Sequence, residues 1–167
     1  VLIVVNSPGW PEVRQAFFNS HEFTSNLGEI GNGFVTNVEI FLIAEGFILV
    51  VGLLIAVMRS LPGPVFFPIR ALAILYADIF RGIPTILVIY ILGFGAPALQ
   101  ISWMPTSTIF WGIVGLVLIY SAYVSEVYRA GIDSVHPSQD AAARSLGLSR
   151  AQSLRHVVLP QAVRRVM

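Results

Sequence analysis

The sequence predicts an all-α fold, a polytopic bundle of membrane helices with a short polar helix at one end. Three observations carry that expectation. Only 11% of the residues are charged and 56% are apolar, whereas soluble domains carry about 25% charged residues. Several apolar runs reach or exceed the roughly 20 residues needed to cross a hydrocarbon layer. The arginines lie between and after these runs, and nearly all fall on one side of the layer. The net charge of +1 selects no partner, and nothing points to nucleic acid. The absence of Cys excludes disulfides and thiolate metal sites. His21, His136 and His156 are far apart and show no metal-ligand spacing.

In chain order, VLIVV (1–5) looks like the tail of an apolar segment, and Pro160 to Met167 looks like the approach to another element. The chain therefore reads as part of a longer protein, truncated at both ends. Residues 6–32 are rich in Pro, Gly, Asn and Ser and read as an extracytoplasmic loop, with a short helix near Glu12–Phe18. The membrane domain is expected over 33–167. Its first complete span is 34–58, and Arg59-Ser60-Leu61-Pro62-Gly63-Pro64 forms a tight turn after it. A second long segment, 65–99, is interrupted by Arg81-Gly82-Ile83-Pro84. Proline removes a helical hydrogen bond there, so a kink is expected. One kinked span is favoured over two short ones, which would flip the upstream topology. Residues 93–107 read as a loop with Trp103 as an interfacial anchor. The last span is about 108–128. On this layout Arg59, Arg70, Arg129 and the five arginines from Arg144 to Arg165 share one side, opposite Arg14. The positive-inside rule makes that side cytoplasmic.

The stretch QDAAARSLGLSRAQSLRHVVLP (139–160) is polar and lies on the Arg-rich side. Pro137-Ser138 opens a helix over about 139–146, with Ser138 as N-cap, Asp140 in the first turn and Gly147 at the C′ position. Ser149-Arg150-Ala151-Gln152 is a capping box for a second helix, whose Leu154, Val157 and Val158 share a face. A lone helix of about eight residues is marginal in water, so something must hold the first one. Either the hairpin folds against its own spans, or its slim alanine body docks into a soluble partner.

The spacing of this stretch resembles the cytoplasmic motif of bacterial ABC-importer permeases: Glu-Ala-Ala, three residues, Gly, nine residues, then Ile-x-Leu-Pro. Here it is Ala141-Ala142-Ala143, Gly147 and Val157-Val158-Leu159-Pro160, with Ala141 in place of the Glu and Val157 in place of the Ile. Asp78 to Pro84, Ser121 to Ile132 and Leu159-Pro160-Gln161-Ala162 are similar to the polar amino-acid branch. The resemblance covers nearly all the chain from Gly33 onward. It implies a type I importer permease in a bacterial plasma membrane, working as a homo- or heterodimer above two ATPase subunits, with solute delivered by an extracytoplasmic binding protein. It assigns ATPase coupling to Ser138, Gln139, Asp140, Ala141, Ala142, Ala143 and Leu146, with Gly147 as the hinge and Leu159 and Pro160 closing the region at 138–160. ATP and Mg would belong to the partner, because this chain has no Lys to complete a phosphate-binding loop.

Ionisable groups inside spans are costly and mark functional candidates. Glu39, near the outer end, is expected to reach water instead of serving the pathway. Glu45 is deeper and either lines the solute pathway or pairs with an Arg of a neighbouring helix. Asp78 and Arg81, three apart, can pair across the kink, or Arg81 can face a solute carboxylate. Glu126 and Arg129 share that spacing and are expected to pair, bracing the last span against the coupling region; Glu45, Asp78, Arg81 and Glu126 are together the candidates for the solute pathway. Gly112 and Gly115 are expected to allow close helix packing. A self-sufficient secondary transporter or channel using Glu45 and Asp78 is the alternative to an importer subunit. A membrane enzyme is the weak third reading, since no Ser/His/Asp, His-cluster or Cys/His constellation falls among the spans.

Overall fold

The computed structural model describes residues 2–166, in the order α1 (Leu2–Val5), α2 (Trp10–Phe17), α3 (Ser20–Ser25), α4 (Leu27–Arg59), α5 (Phe67–Gly82), α6 (Thr85–Tyr90), α7 (Ala96–Ala98), α8 (Thr108–Ser134), α9 (Pro137–Ser145), α10 (Arg150–Ser153) and α11 (Leu159–Val166). Single π-turns at Ile91–Gly95 and Leu154–Val158 join α6 to α7 and α10 to α11. Each ends two residues before a proline, Pro97 and Pro160. A helical proline lacks the N–H and crowds the carbonyl four residues back. Widening the preceding turn to an i→i+5 bond, as from the Leu159 N–H to the Leu154 carbonyl, lets the helix continue through Pro160.

The chain forms two compact units, Val1–Phe41 and Leu42–Met167. In the first, the Asn19 side chain caps α3, accepting from the His21 and Glu22 N–H groups at 3.0 and 3.4 Å. The region read as a loop up to residue 32 is largely helical, and α4 starts at Leu27 instead of near Phe34. Extending an existing helix requires no new nucleus, so Gly28, Gly31 and Gly33 are tolerated. Thr36 Oγ1 donates to the Asn32 carbonyl (3.0 Å) and Asn37 Nδ2 to the Gly33 carbonyl (2.8 Å), so these polar side chains are satisfied on the helix itself.

In the second unit α8 is the central helix, and α5, α6 and α11 pack on it. Part of α4 also approaches it. Ala44, Ile48, Gly52, Ile55 and Ala56 form its buried stripe at helical spacing. Gly52 is the contact point: a Cβ there would lie 2.9 Å from Val124 Cγ1 and 3.3 Å from the Ser121 carbonyl oxygen. Of the glycines expected to pack, Gly115 faces the Ile89 Cα at 3.6 Å from an ideal Cβ, whereas Gly112 faces open space.

Among the described residues two helices, α4 and α8, are long and apolar enough to cross a membrane. The break at Ile83-Pro84 is sharper than a kink. The axis turns by 97° between Phe67–Gly82 and Thr85–Ala98. Neither half reaches across about 30 Å of hydrocarbon at 1.5 Å per residue. The long segment is therefore a bent pair, either a broken span or a re-entrant loop, and not a gently kinked rod. Large apolar side chains such as Leu42, Phe47, Leu54 and Leu72 are exposed along these helices, as a lipid-facing surface requires. The protein is a multi-pass membrane helical bundle.

Candidate functional site

The charges of the spans sort into one hub and three single carboxylates, Glu39, Glu45 and Asp78. Glu126, on α8, sits among three arginines from three helices. Its Oε1 accepts from Arg59 at the end of α4 and from Arg81 at the end of α5, the latter at 2.9 Å. Its Oε2 accepts from Arg129 Nε at 3.2 Å. Arg129 also donates to Asp133 at 3.2 Å, where Asp133 is largely exposed. Arg59 is only 10% exposed and Glu126 22%, so their attraction is screened little compared with a surface pair.

The expected Glu126–Arg129 pair forms, but the Asp78–Arg81 pair does not. Arg81 reaches across to Glu126, while Asp78 is exposed and has no ion-pair partner among the described residues. The physical reason is competition. An exposed pair three apart contributes a few tenths of a kcal/mol, and the half-buried carboxylate of Glu126 offers Arg81 a less hydrated partner. Arg81 also stacks 5.9 Å above the Tyr123 ring centre, and the Tyr123 hydroxyl donates to the Arg81 carbonyl at 3.3 Å. One α5 turn earlier, the Tyr76 hydroxyl meets the Leu118 carbonyl (2.7 Å) and Ser121 Oγ (2.8 Å). The end of α5 just before the elbow is thus tied to α8 at three points. Glu45 is half-buried with no ion-pair partner among the described residues, and Glu39 is exposed.

Beyond α8 the chain forms a helical hairpin. α9 spans Pro137–Ser145, and its N-cap is His136, not Ser138. His136 Nδ1 accepts from the Ser138 N–H at 3.2 Å, and Pro137 takes the first helical position, where its missing N–H costs nothing. Ser138 therefore lies inside the first turn. The C-terminus is a full Schellman closure. The Gly147 N–H donates to the Arg144 carbonyl (3.0 Å) and the Leu148 N–H to the Ala143 carbonyl (3.2 Å). Gly147 has φ +88°, in the left-handed region that glycine enters without strain. Ser149 and Gln152 form the capping box: the Ser149 N–H donates to Gln152 Oε1 (2.8 Å) and the Gln152 N–H to Ser149 Oγ (3.3 Å).

Sequence spacing did not reveal what holds α9. Ser153, fully buried on α10, donates from its Oγ to Asp140 Oδ1 at 2.6 Å. Ala143, 5% exposed, is the apolar contact one turn later. Asp140 and Ala143 thus form the inward edge. Gln139, Ala141, Ala142 and Leu146 face outward, and Leu146 is 82% exposed. Leu159 and Pro160 are on the second helix, which anchors the hairpin through Val158 and Ala162 against Val135 of the main helix end. The Arg165 guanidinium adds a bond to the Ser134 carbonyl. A cleft of about 520 Å³, lined by Val57, Leu61, Phe66, His136, Asp140 and Leu154 among others, separates the turn after α4 from the hairpin.

A bent helix pair tied to a central span, with a capped polar hairpin following that span, is the arrangement of a polytopic membrane protein. Residues 48–167 match the family of binding-protein-dependent transport system inner membrane components, and the chain belongs to that family. It is 32% identical over 121 residues to a probable amino-acid permease protein, YxeN, of Bacillus subtilis (strain 168), covering 72% of this chain and 53% of the relative. It is 37% identical over 120 residues to a probable glutamine ABC transporter permease protein, GlnM, of the same organism, covering 71% and 52%. The arginine transport system permease protein ArtQ, also of Bacillus subtilis (strain 168), is 33% identical, with 70% and 53% covered. The chain thus spans about half the length of these relatives. Among solved structures, the crystal structure of an amino acid ABC transporter with histidines superposes with a TM-score of 0.64 at 29% identity, over 84% of this chain and 65% of that one.

Proposed function

We propose that the chain is part of the permease subunit of an ATP-driven amino-acid importer, and that α9 is the element by which a cytoplasmic ATPase drives it. The observation that carries this reading is the hairpin. It presents an alanine face outward (Ala141, Ala142) while a buried hydroxyl and a Schellman turn fix its angle. Such a helix is slim enough to enter a cleft and stiff enough to transmit force. Because the position of the usual acid is Ala141 and the acidic residue Asp140 is turned inward, docking rests on shape more than on a charge at 141. Gln139, Ala142 and Leu146 complete the docking face. Ser138, Asp140, Ala143, Gly147, Leu159 and Pro160 build the scaffold behind it.

On this reading the hairpin lies on the cytoplasmic side of a bacterial inner membrane, as the arginine distribution supports. ATP and Mg are held by the partner ATPase dimer, and the permease itself is not an enzyme. A second permease subunit completes the pathway, and an extracytoplasmic binding protein delivers the solute. The relatives' names favour an amino acid as that solute. The Glu126 hub links α4, α5 and α8 about three turns from the hairpin's root. It is placed to convert a push on α9 into movement of the bent pair.

Glu45 and Asp78, which have no ion-pair partner among the described residues, favour the second reading, an ion-coupled transporter that needs no ATPase. Uptake by cells carrying the complete system separates the two. Loss of uptake on ATP depletion, with the proton gradient clamped, is expected for the importer. Uptake that follows the proton gradient and ignores ATP would overturn it.

A further inference from the structure

The short helix before the first span is not needed by any of the machinery above. α2 carries Trp10, Val13 and Phe17 at i, i+3 and i+7, one face of a helix, with Ala16 beside them. Glu12 and Gln15 lie on the opposite face, and Arg14 flanks the aromatic edge. The apolar face has nothing to pack on in its own unit: no α2 residue is buried, Phe17 is 78% exposed and Phe18, next to it, 68%. Trp10 and Phe18 approach each other at 6.2 Å between ring centres, so the aromatic side chains gather on one side.

The length of α4 fixes the level at which α2 can sit. Its 33 residues make a rod of about 50 Å at 1.5 Å per residue. A bilayer with its headgroups is about 40–45 Å thick, and an ordinary tilt of about 20° shortens the rod only slightly. A helix that ends among headgroups on one side therefore reaches the headgroup boundary on the other, close to Leu27. Only α3 and two short connections separate that point from α2. Amphipathic helices with Trp and Phe on one face and charges on the other favour this layer.

We propose that α2 is an interfacial helix lying on the outer lipid surface, with Trp10, Val13 and Phe17 seated among the headgroups and upper acyl chains and Glu12 and Gln15 turned to water. Arg14, at the margin, reaches a lipid phosphate. The consequence is an anchor that holds the outer end of α4 at a fixed depth.

The chain has no Cys, so single spin labels can be placed freely. Phe17→Cys and Glu12→Cys variants of the full chain are labelled in phosphatidylcholine vesicles. Collisions with oxygen, which concentrates in lipid, are compared with those of a water-soluble nickel complex. Val13→Cys and Gln15→Cys form a second pair should either first variant lose helical content. The expected result is several-fold higher oxygen-to-nickel accessibility on the Phe17 and Val13 face than on the Glu12 and Gln15 face. Equal and high nickel accessibility on both faces would place the helix in water and overturn the proposal. Low accessibility to both reagents on the Phe17 face would mean a protein covers it, and would overturn it equally.

Discussion

Replacing Glu126 with Gln removes the charge that joins three helices and leaves the shape almost unchanged. Hydrogen bonds to charged groups contribute about 1.5–3 kcal/mol, and neutral ones about 0.5–1.5. The guanidinium groups stay charged and the amide keeps one acceptor oxygen, so bonds to that oxygen weaken by up to about 1 kcal/mol each, while the amide NH2 cannot accept and the contact on its side is lost. Arg81 and Arg129 are 40% and 43% exposed, so water already screens their share, and about 2 kcal/mol in all is the realistic loss. Mutual repulsion of Arg59, Arg81 and Arg129 acts in the same direction. SDS-induced unfolding in mixed micelles, followed by pulse proteolysis, measures the change. Asp133→Asn is the control: Asp133 is 61% exposed with one bond, so its loss is expected below about 0.5 kcal/mol. Arg81→Gln placed in the Glu126→Gln background costs less than it does alone, because the ion pair is already gone and the stacking on Tyr123 is the main contact left to lose. If Glu126→Gln costs no more than Asp133→Asn, the hub does not hold these helices together, and the reasoning from its burial is wrong.

Three further outcomes follow from the packing. Gly52→Ala puts a methyl 2.9 Å from Val124 Cγ1; a stiff β-branched neighbour and a backbone carbonyl leave it little room. A loss of about 1–3 kcal/mol is expected in the same unfolding assay, with recovery in Gly52→Ala/Val124→Ala. Gly147→Ala forces a Cβ into the left-handed region at φ +88° and is expected to cost about 1–2 kcal/mol, read as faster proteolysis between α9 and α10. Ser153→Ala frees Asp140. Hairpin proteolysis should rise while the unfolding midpoint of the spans stays unchanged, and unchanged proteolysis would remove the Ser153 bond as the tie.

The parts of this fold visible in the sequence are those set by local chemistry. Ser149 and Gln152 announce a capping box, Gly147 a left-handed turn, and Gly82 and Pro84 a break, because each acts within one helical turn. Arg81 was read against Asp78 for the same reason, since only neighbours three or four apart are visible along a helix. Its partner is 45 residues away and depends on how α5 meets α8. His136 was missed as a cap because its ring nitrogen is an uncommon substitute for a Ser or Asp oxygen. Residues 27–33 looked like a loop because Gly and Asn are weak helix formers. Each glycine costs about 1 kcal/mol, which the adjoining long helix overrides. The Ser153–Asp140 bond needs the whole hairpin before it can be seen.

In the proposed function α9 meets an ATPase through its outward face. Site-specific photo-crosslinking in cells producing the complete transporter addresses it directly, with benzoylphenylalanine at Ala142, at Leu146, or at the buried Ser153. A covalent adduct with the ATPase subunit is expected from positions 142 and 146 and none from 153. Position 142 failing to label the ATPase in a complex that still imports solute would contradict it.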